Sequence, residues 1–223
     1  MHALQATETR CPPPSRLARA PLARARGEAG RLLREESLLA PVWAFRIHPV
    51  REIRAGFVDL GASGIRAPAI AELQEGVTAI AAAACTLGPA LEARIAAMFA
   101  TRERLRGAPS RVLAMALDEL ANERLFRISD QLYARIVRAA RVSGLRAGPP
   151  ENPGDPGIAL DEQSAVLALS GIETQAISAN LSCMLSPVKS ISFVVALGAG
   201  LPDRPAASRC LSCASRERCS LRQ

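Results

Sequence analysis

One stretch, residues 152–200, constrains the fold of this chain most, because it joins a rigid turn, an apolar helix and a buried strand. It begins with N-P-G-D-P-G, in which the prolines fix φ near about −65° and the glycines permit positive φ or a close backbone approach. Such a turn can present main-chain N–H groups to a ligand. Apolar residues then recur at helical spacing over 160–169, and 190–197 has the β-branched and aromatic composition of a buried strand.

The rest of the chain alternates short apolar strands with one long helical pattern. Residues 42–47 and 77–85 are the other strand candidates, the second being V-T-A-I-A-A-A-A-C, and apolar residues repeat at helical spacing over 110–140 with Ser110 as the expected N-cap. The pattern predicts an α+β fold, in which a twisted antiparallel or mixed sheet packs against long helices. The sheet should contain 77–85 and 191–197, and the helix over 110–140 should cover it.

Two extensions flank this pattern. Residues 10–34 and the C-terminal tail are rich in arginine, and prolines at 12–14 and 21 predict that residues 1–26 are disordered, followed by a short helix over 28–39. We therefore divide the chain into an arginine-rich, partly disordered extension (1–40), an α+β domain (41–200) and a cysteine-rich tail (201–223).

Composition and charge exclude several classes of function. The chain has 28 basic and 21 acidic residues, and its basic ends favour an anionic partner such as a phosphate group or an acidic protein face. Nucleic acid is not the expected partner, because aromatic residues make up 3% and do not interleave with the basic ones. With two histidines, no P-loop and no G-x-G-x-x-G, the sequence does not favour a hydrolase, a kinase or a dehydrogenase.

The sequence also lacks the patterns that would take it to a membrane. No run reaches the about 18 apolar residues of a membrane span, and the N-terminus lacks the apolar core of a signal peptide. We therefore expect no membrane association and a cytoplasmic location, where cysteines are thiols or metal ligands more often than disulfides.

Several motifs together resemble one known family. They are the Pro-Gly turn, the D-E-Q helix start that follows it, the strand S-P-V-K-S-I-S-F-V-V, and C-T-L-G-P-A-L-E at 85–92, which is similar to a T-L-G-P-x-L-E turn. In this order, over roughly residues 45–200, they resemble the reactivation domain of cobalamin-dependent methionine synthase. The resemblance is greater still to small stand-alone relatives of that domain that accompany corrinoid proteins.

This resemblance implies a function and partners. The chain would be an accessory protein for a corrinoid-dependent methyltransferase system, and would support reductive reactivation of cobalamin that has slipped to the Co(II) state. Its partners would be a corrinoid-binding protein or methyltransferase, which carries the cobalamin, and an electron-donor protein. Whether the chain is itself an enzyme stays open; if so, it is an activation component of such a methyltransferase.

Candidate ligand-binding residues come from the same motifs. Gly88 precedes a helix whose N-terminus could hold an anion, although an ordinary helix start explains it equally well. Asp118 stands among apolar residues with Asn122 one helical turn later, and could bind a ligand or cap a loop. The turn residues complete the set, and we expect the turn and Gly88 to border one cleft; the turn contributes Pro153, Gly154, Asp155 and Gly157.

In the methionine synthase domain an arginine shortly before a Pro-Gly-Tyr turn holds the carboxylate of S-adenosylmethionine. Arg146 is the arginine available in this loop, but it lies further from the turn than the family spacing requires. Asp155 stands at the tyrosine position, and A-N-L-S at 179–182 replaces the family's L-T-E-S, with Leu181 in place of the glutamate. These departures predict that S-adenosylmethionine binds weakly or not at all.

The tail adds a C-x2-C-x5-C cluster formed by Cys210, Cys213 and Cys219. Because zinc sites and iron–sulfur clusters commonly use four protein ligands, a fourth is needed, for which Cys183 is the first candidate and Cys85 the second. The alternatives are an iron–sulfur cluster, which a corrinoid partner in need of electrons favours, a zinc site, and unliganded thiols. A zinc site would suit a second function, a non-catalytic metal-binding interaction scaffold.

Overall fold

The computed structural model describes residues 16–73, 76–101, 104–105, 108–201 and 217, with side chains from residue 23 onward except that of Arg104. A four-stranded antiparallel sheet forms its centre, in the order β1 (Val42–Pro49), β5 (Ala79–Thr86), β11 (Ser190–Gly198) and β8 (Arg146–Glu151). In the register, Thr86 lies opposite Ser190 at one end of the sheet. Gly198 lies opposite Arg146 at the other end.

The central strand β5 is buried along its whole length, and its middle is the alanine run 81–84. Because side chains on a strand alternate between faces, this strand contributes small residues to both sides of the sheet. Small side chains let the layers on both faces approach closely at native packing density. The predicted strands over 77–85 and 190–197 are confirmed, the first shifted by one or two residues.

Three helices cover one face of the sheet: α1 (Arg16–Glu35), α3 (Pro89–Ala100) and α4 (Ser110–Val142). Leu113, Leu117, Leu132 and Ile136 of α4 share a core with Phe193 and Val195 of β11. The predicted α+β fold, with an antiparallel sheet covered by a long helix over 110–140, is therefore confirmed. None of the helices that the structure describes is long and apolar enough to cross a membrane.

The opposite face carries smaller elements. A single 3-10 turn (Leu160–Glu162) leads into α5 (Gln163–Ser170), and a three-stranded sheet formed by β2 (Glu52–Arg54), β3 (Phe57–Asp59) and β4 (Gly64–Arg66) precedes α2 (Pro68–Ala71). Two short hairpins complete the described structure, and they are β6–β7 (Arg104–Leu105 with Ala108–Pro109) and β9–β10 (Ser178–Ala179 with Leu185–Ser186).

The sequence prediction fails at α1. Residues 16–26, predicted to be disordered, are helical through Pro21, and the helix ends at Glu35 rather than at residue 39. Tertiary packing accounts for the difference, because Ala25, Ala29 and Leu32 are buried in the same core as α4. The proposed division of the chain at residues 40 and 200 stays a prediction.

The start of α4 also differs from expectation. Ser110 is the first helical residue, Pro109 takes the N-cap position, and no side chain caps the helix. The Ser110 hydroxyl instead donates a hydrogen bond to the carbonyl oxygen of Met98, at 2.8 Å. The serine therefore joins α4 to the last turns of α3 rather than capping its own helix.

Candidate functional site

A polar cluster lies where β5 ends and β11 begins, and Lys189 is at its centre. The Lys189 ammonium lies 2.7 Å from Oδ1 of Asp118 and donates to Oδ1 of Asn122 at 2.8 Å. The lysine side chain is 11% exposed, whereas that of Asp118 is 40% exposed. Helical spacing places Asp118 and Asn122 on one face of α4, as predicted, and the amide of Asn122 lies 3.4 Å from Oδ2 of Asp118.

Further hydrogen bonds tie the segment before β11 to the segment after β5. The backbone N–H of Val188 donates to Oε2 of Glu92 at 2.8 Å. The Thr86 hydroxyl donates to the Lys189 carbonyl at 3.2 Å, and Ser190 Oγ lies 2.9 Å from Thr86 Oγ1. We call these groups the Lys189 cluster, whose members are Thr86, Glu92, Asp118, Asn122, Lys189 and Ser190. The cluster joins the two sequence motifs at 85–92 and 186–190.

Gly88 lies beside this cluster in a tight approach of two chain segments. Its φ of 85° is unfavourable for residues with a side chain, and a Cβ there would lie 3.1 Å from both Cβ and O of Ala40. Glu92 stands in the first turn of α3, where its negative charge complements the helix dipole. This arrangement favours the ordinary helix start over an anion-binding site at Gly88.

The turn at 152–157 is held by its own polar groups. Oδ2 of Asp155 accepts hydrogen bonds from the backbone N–H and the side-chain amide of Asn152, at 3.1 and 2.7 Å. Gly154 has a φ of 98° and donates to the Ile158 carbonyl. The Asp155 carboxylate therefore stabilises the turn that contains it.

Gly157 closes the turn against α2. A Cβ at this position would lie 2.4 Å from Cβ of Ala69 and 3.0 Å from Oε2 of Glu151. The Ala69 N–H also points to the Gly157 carbonyl at 3.4 Å. Only glycine leaves room for this contact between the turn and α2.

Glu151, at the end of β8, is a site residue that sequence reasoning missed. Burial of its half-buried carboxyl group, and secondarily the negative charge of Asp155, raise its pKa. A carboxyl group that keeps its proton to higher pH can donate a hydrogen bond. The sequence signal was an acidic residue directly between a strand and a Pro-Gly turn.

The structure does not bring Arg146 to the turn. Arg146 begins β8 whereas Pro153 follows its end, and a strand of this length covers roughly 16 Å. The exposed guanidinium donates to the Leu201 carbonyl at 3.0 Å. Asp155 is bonded to Asn152 and Arg146 to Leu201, so the structure does not bring these two residues together, and weak binding of S-adenosylmethionine stays a prediction. That the turn and Gly88 border one cleft stays a prediction.

The predicted metal ligands are only partly described. Cys183 lies in the β9–β10 hairpin, partly exposed and with a φ of 60°, and Cys85 is buried. Cys210, Cys213 and Cys219 lie outside the described residues. Within the described residues no group of three or more His, Cys, Asp or Glu side chains could hold a metal ion, so the four-cysteine site stays a prediction.

Lys189 stands out in the sequence by its residue type. It is the single lysine of a chain whose other 27 basic residues are arginines. The lysine ammonium is compact and has three donors, so it can bond an aspartate and an asparagine on either side. The donors of an arginine guanidinium point in fixed directions within one plane. Its partners come from positions 71 and 67 residues earlier, a distance that no local pattern reveals.

Comparison with known proteins gives a structural match but no sequence match. No family model matches the chain, and no curated protein matches it. Among solved structures it is similar to one described as the crystal structure of the MetH reactivation domain bound to AdoHcy, with a TM-score of 0.52 and 16% sequence identity. The match covers 92% of this chain and 74% of that one. The chain therefore has the fold of the methionine synthase reactivation domain, as its sequence resemblance predicted.

Proposed function

We propose that this chain is an accessory protein for a corrinoid-dependent methyltransferase system and supports reductive reactivation of the partner's corrinoid. The observation that carries the proposal is the likeness of fold to a reactivation domain over 92% of the chain. A Co(II) corrinoid needs one electron, coupled to transfer of a methyl group, to return to its active cycle. An electron donor supplies the electron and a separate methyl donor supplies the methyl group, the partner's cofactor accepts both, and the chain binds and orients the partner.

The surface next to the Lys189 cluster suits such docking. Leu181, Met184 and Val188 are exposed on the segment that leads into β11. Oδ1 of Asn180 accepts hydrogen bonds from the N–H groups of Ser182 and Met184, at 2.9 and 3.0 Å. Exposed apolar side chains on a hydrogen-bonded loop can cover an apolar face of a partner without a large ordering cost.

A reactivation assay tests the proposal. The probe is cobalamin-dependent methionine synthase without its own reactivation domain, held in the Co(II) state and supplied with a one-electron reductant and methyl iodide, a methyl donor that needs no S-adenosylmethionine site on the chain. We expect addition of the chain to restore turnover, and Leu181→Asp with Met184→Asp to abolish the effect. Met115→Asp with Phe99→Asp, two exposed apolar positions on α4 and α3 away from this segment, is the matched control. Recovery that is the same without the chain would refute the proposal.

The methyl donor needs a separate measurement. Because Arg146 lies at the far end of β8 and Asp155 serves its own turn, we expect calorimetry to find weak or no binding of S-adenosylmethionine and S-adenosylhomocysteine. Micromolar or tighter binding would instead assign the methyl-donor site to this chain, and Arg146→Ala would then test its role.

The cysteine-rich tail supports a second candidate, a non-catalytic metal-binding scaffold. A C-x2-C-x5-C spacing lets thiolates share one metal, and ligation supplies folding free energy to a polar tail. Metal analysis after anaerobic purification under reducing conditions separates the two candidates. Iron together with inorganic sulfide favours electron delivery to a corrinoid, and stoichiometric zinc favours the scaffold. Cys213→Ser should abolish the metal content and Cys183→Ser should weaken it, whereas Cys11→Ser is the control.

A further inference from the structure

A stripe of arginines runs along the C-terminal half of α4. At about 100° per residue these side chains fall within roughly 120° of the helix circumference, and at 1.5 Å per residue they span about 26 Å. The buried Leu125, Leu132 and Ile136 lie on another face of the helix and enter the core. We call the stripe the arginine ridge, and it consists of Arg124, Arg127, Arg135, Arg138 and Arg141.

The two halves of α4 differ in charge. Residues 110–123 carry three acidic groups and one arginine, and all three carboxylates are paired: Asp118 with Lys189, and Glu119 and Glu123 with Arg26. Residues 124–142 carry five arginines and one acidic residue, Asp130. The helix dipole accounts for cations in the last turn only, so it does not explain the ridge as a whole.

The ridge arginines are free to meet a partner. Four of the five are exposed, and these four form no ion pair with any other residue that the structure describes; they are Arg124, Arg127, Arg138 and Arg141. A positive stripe of this length attracts an acidic surface and steers its approach.

The ridge is continuous with an exposed aromatic residue on the edge of the central sheet. The guanidinium carbon of Arg135 lies 4.6 Å from the ring centroid of Trp43, a cation–π distance. Trp43 is 43% exposed, and Ile47, four residues further along β1, is also exposed. Tryptophan and arginine are among the residue types enriched where protein interfaces gain their binding energy.

We propose that the arginine ridge and Trp43 bind a carboxylate-rich face of a partner protein. Guanidinium groups recognise carboxylates in a bidentate fork, and the spacing along the ridge matches acidic residues repeated each turn or two on a partner helix. Single-stranded nucleic acid needs open aromatic faces for base stacking, whereas Arg135 covers a face of Trp43. This inference does not depend on the proposed corrinoid function.

Trp43 makes the proposal directly testable, because it is the only tryptophan of the chain. The probe is a tryptophan-free helical peptide of about 17 residues, long enough to span about 26 Å, with glutamates along one stripe and leucines beside them. A peptide with the same residues in scrambled order and an oligonucleotide of equal charge are the comparison ligands. Each is titrated into the full chain while the Trp43 emission is followed.

We expect the striped peptide to shift the Trp43 emission and to bind the Arg127→Glu, Arg138→Glu variant at least about tenfold more weakly. The control is Arg51→Glu with Arg111→Glu, two exposed arginines off the ridge, which changes the net charge equally and should stay within about threefold. The proposal is overturned if the control weakens as much as the ridge variant, if the scrambled peptide binds equally well, or if the striped peptide does not bind. Tighter, ridge-dependent binding of the oligonucleotide would also overturn it and assign a nucleic-acid site.

Discussion

The Lys189 cluster and the 152–157 turn are both polar segments that follow or precede strands of the central sheet, yet they are held in opposite ways. The cluster joins residues far apart in sequence, with separations of 67, 96 and 103 for three of its hydrogen bonds. The turn is closed by Asn152 and Asp155, which are three residues apart. The cluster therefore depends on the tertiary fold, whereas the turn can form locally and depends on the fold only where it packs.

The largest effect should come from the packing contact of the turn. Gly157→Ala places a Cβ 2.4 Å from Cβ of Ala69, and overpacking of this kind should cost about 3 kcal/mol of unfolding free energy. Urea denaturation followed by circular dichroism measures the loss. Gly148→Ala is the matched control, since its Cβ would make an ordinary 3.6 Å contact with Ala196. Equal losses in the two variants would show that α2 does not pin the turn.

The Lys189 cluster should be less sensitive to a single change. Asp118→Ala leaves a mostly buried ammonium without its carboxylate. The loss of unfolding free energy should be about 2 kcal/mol, between the losses typical of a surface ion pair and of a buried ion pair. Because Lys189 is the only lysine, an amine-reactive reagent labels one side chain, which peptide mass spectrometry separates from the N-terminal amine, and we expect faster labelling of Lys189 in the variant.

The neighbouring Glu119→Ala is the control for this prediction. Glu119 makes an exposed 3.4 Å pair with Arg26, so its loss should cost less than about 1 kcal/mol and should leave Lys189 labelling unchanged. If Asp118→Ala leaves labelling unchanged as well, the aspartate does not shield the ammonium.

The smallest effect concerns Glu151 and pH. Its pKa is raised above the ordinary 4.5 by burial and by Asp155, so the folded state holds this proton more tightly than the unfolded state does. The resulting stability is fully present below pH 4.5 and is lost as pH rises through the folded-state pKa. Glu151→Gln should therefore unfold at a slightly higher urea concentration than the natural chain at pH 7, and the advantage should vanish near pH 4. An advantage that is the same at both pH values would contradict the raised pKa.

The same contrast explains what the sequence could and could not predict. Continuous apolar runs and local turn chemistry identified β5, β11, α4 and the 152–157 turn, because each is determined by neighbouring residues. Asp118 was picked out as a polar residue among apolar ones, but its partner Lys189 could not be assigned, since nothing local relates positions 71 residues apart. The helix through Pro21 was missed because burial of Ala25, Ala29 and Leu32 outweighs a local preference.

The position of Leu201 limits how far the cysteine tail can reach. Arg146 binds the Leu201 carbonyl at one end of β11, whereas the hairpin that carries Cys183 packs through Leu185 against Ala84, toward the other end. Ser190 and Gly198, the two ends of β11, lie about 26 Å apart at 3.3 Å per residue. The nine residue steps from Leu201 to Cys210 cover at most about 30 Å when fully extended.

A metal shared by Cys210 and Cys183 would therefore need most of the chain length between Leu201 and Cys210, whereas Cys219 is twice as many steps from Leu201 and has chain length to spare. The number of residues after Leu201 therefore sets an upper limit on the distance that each tail cysteine can reach.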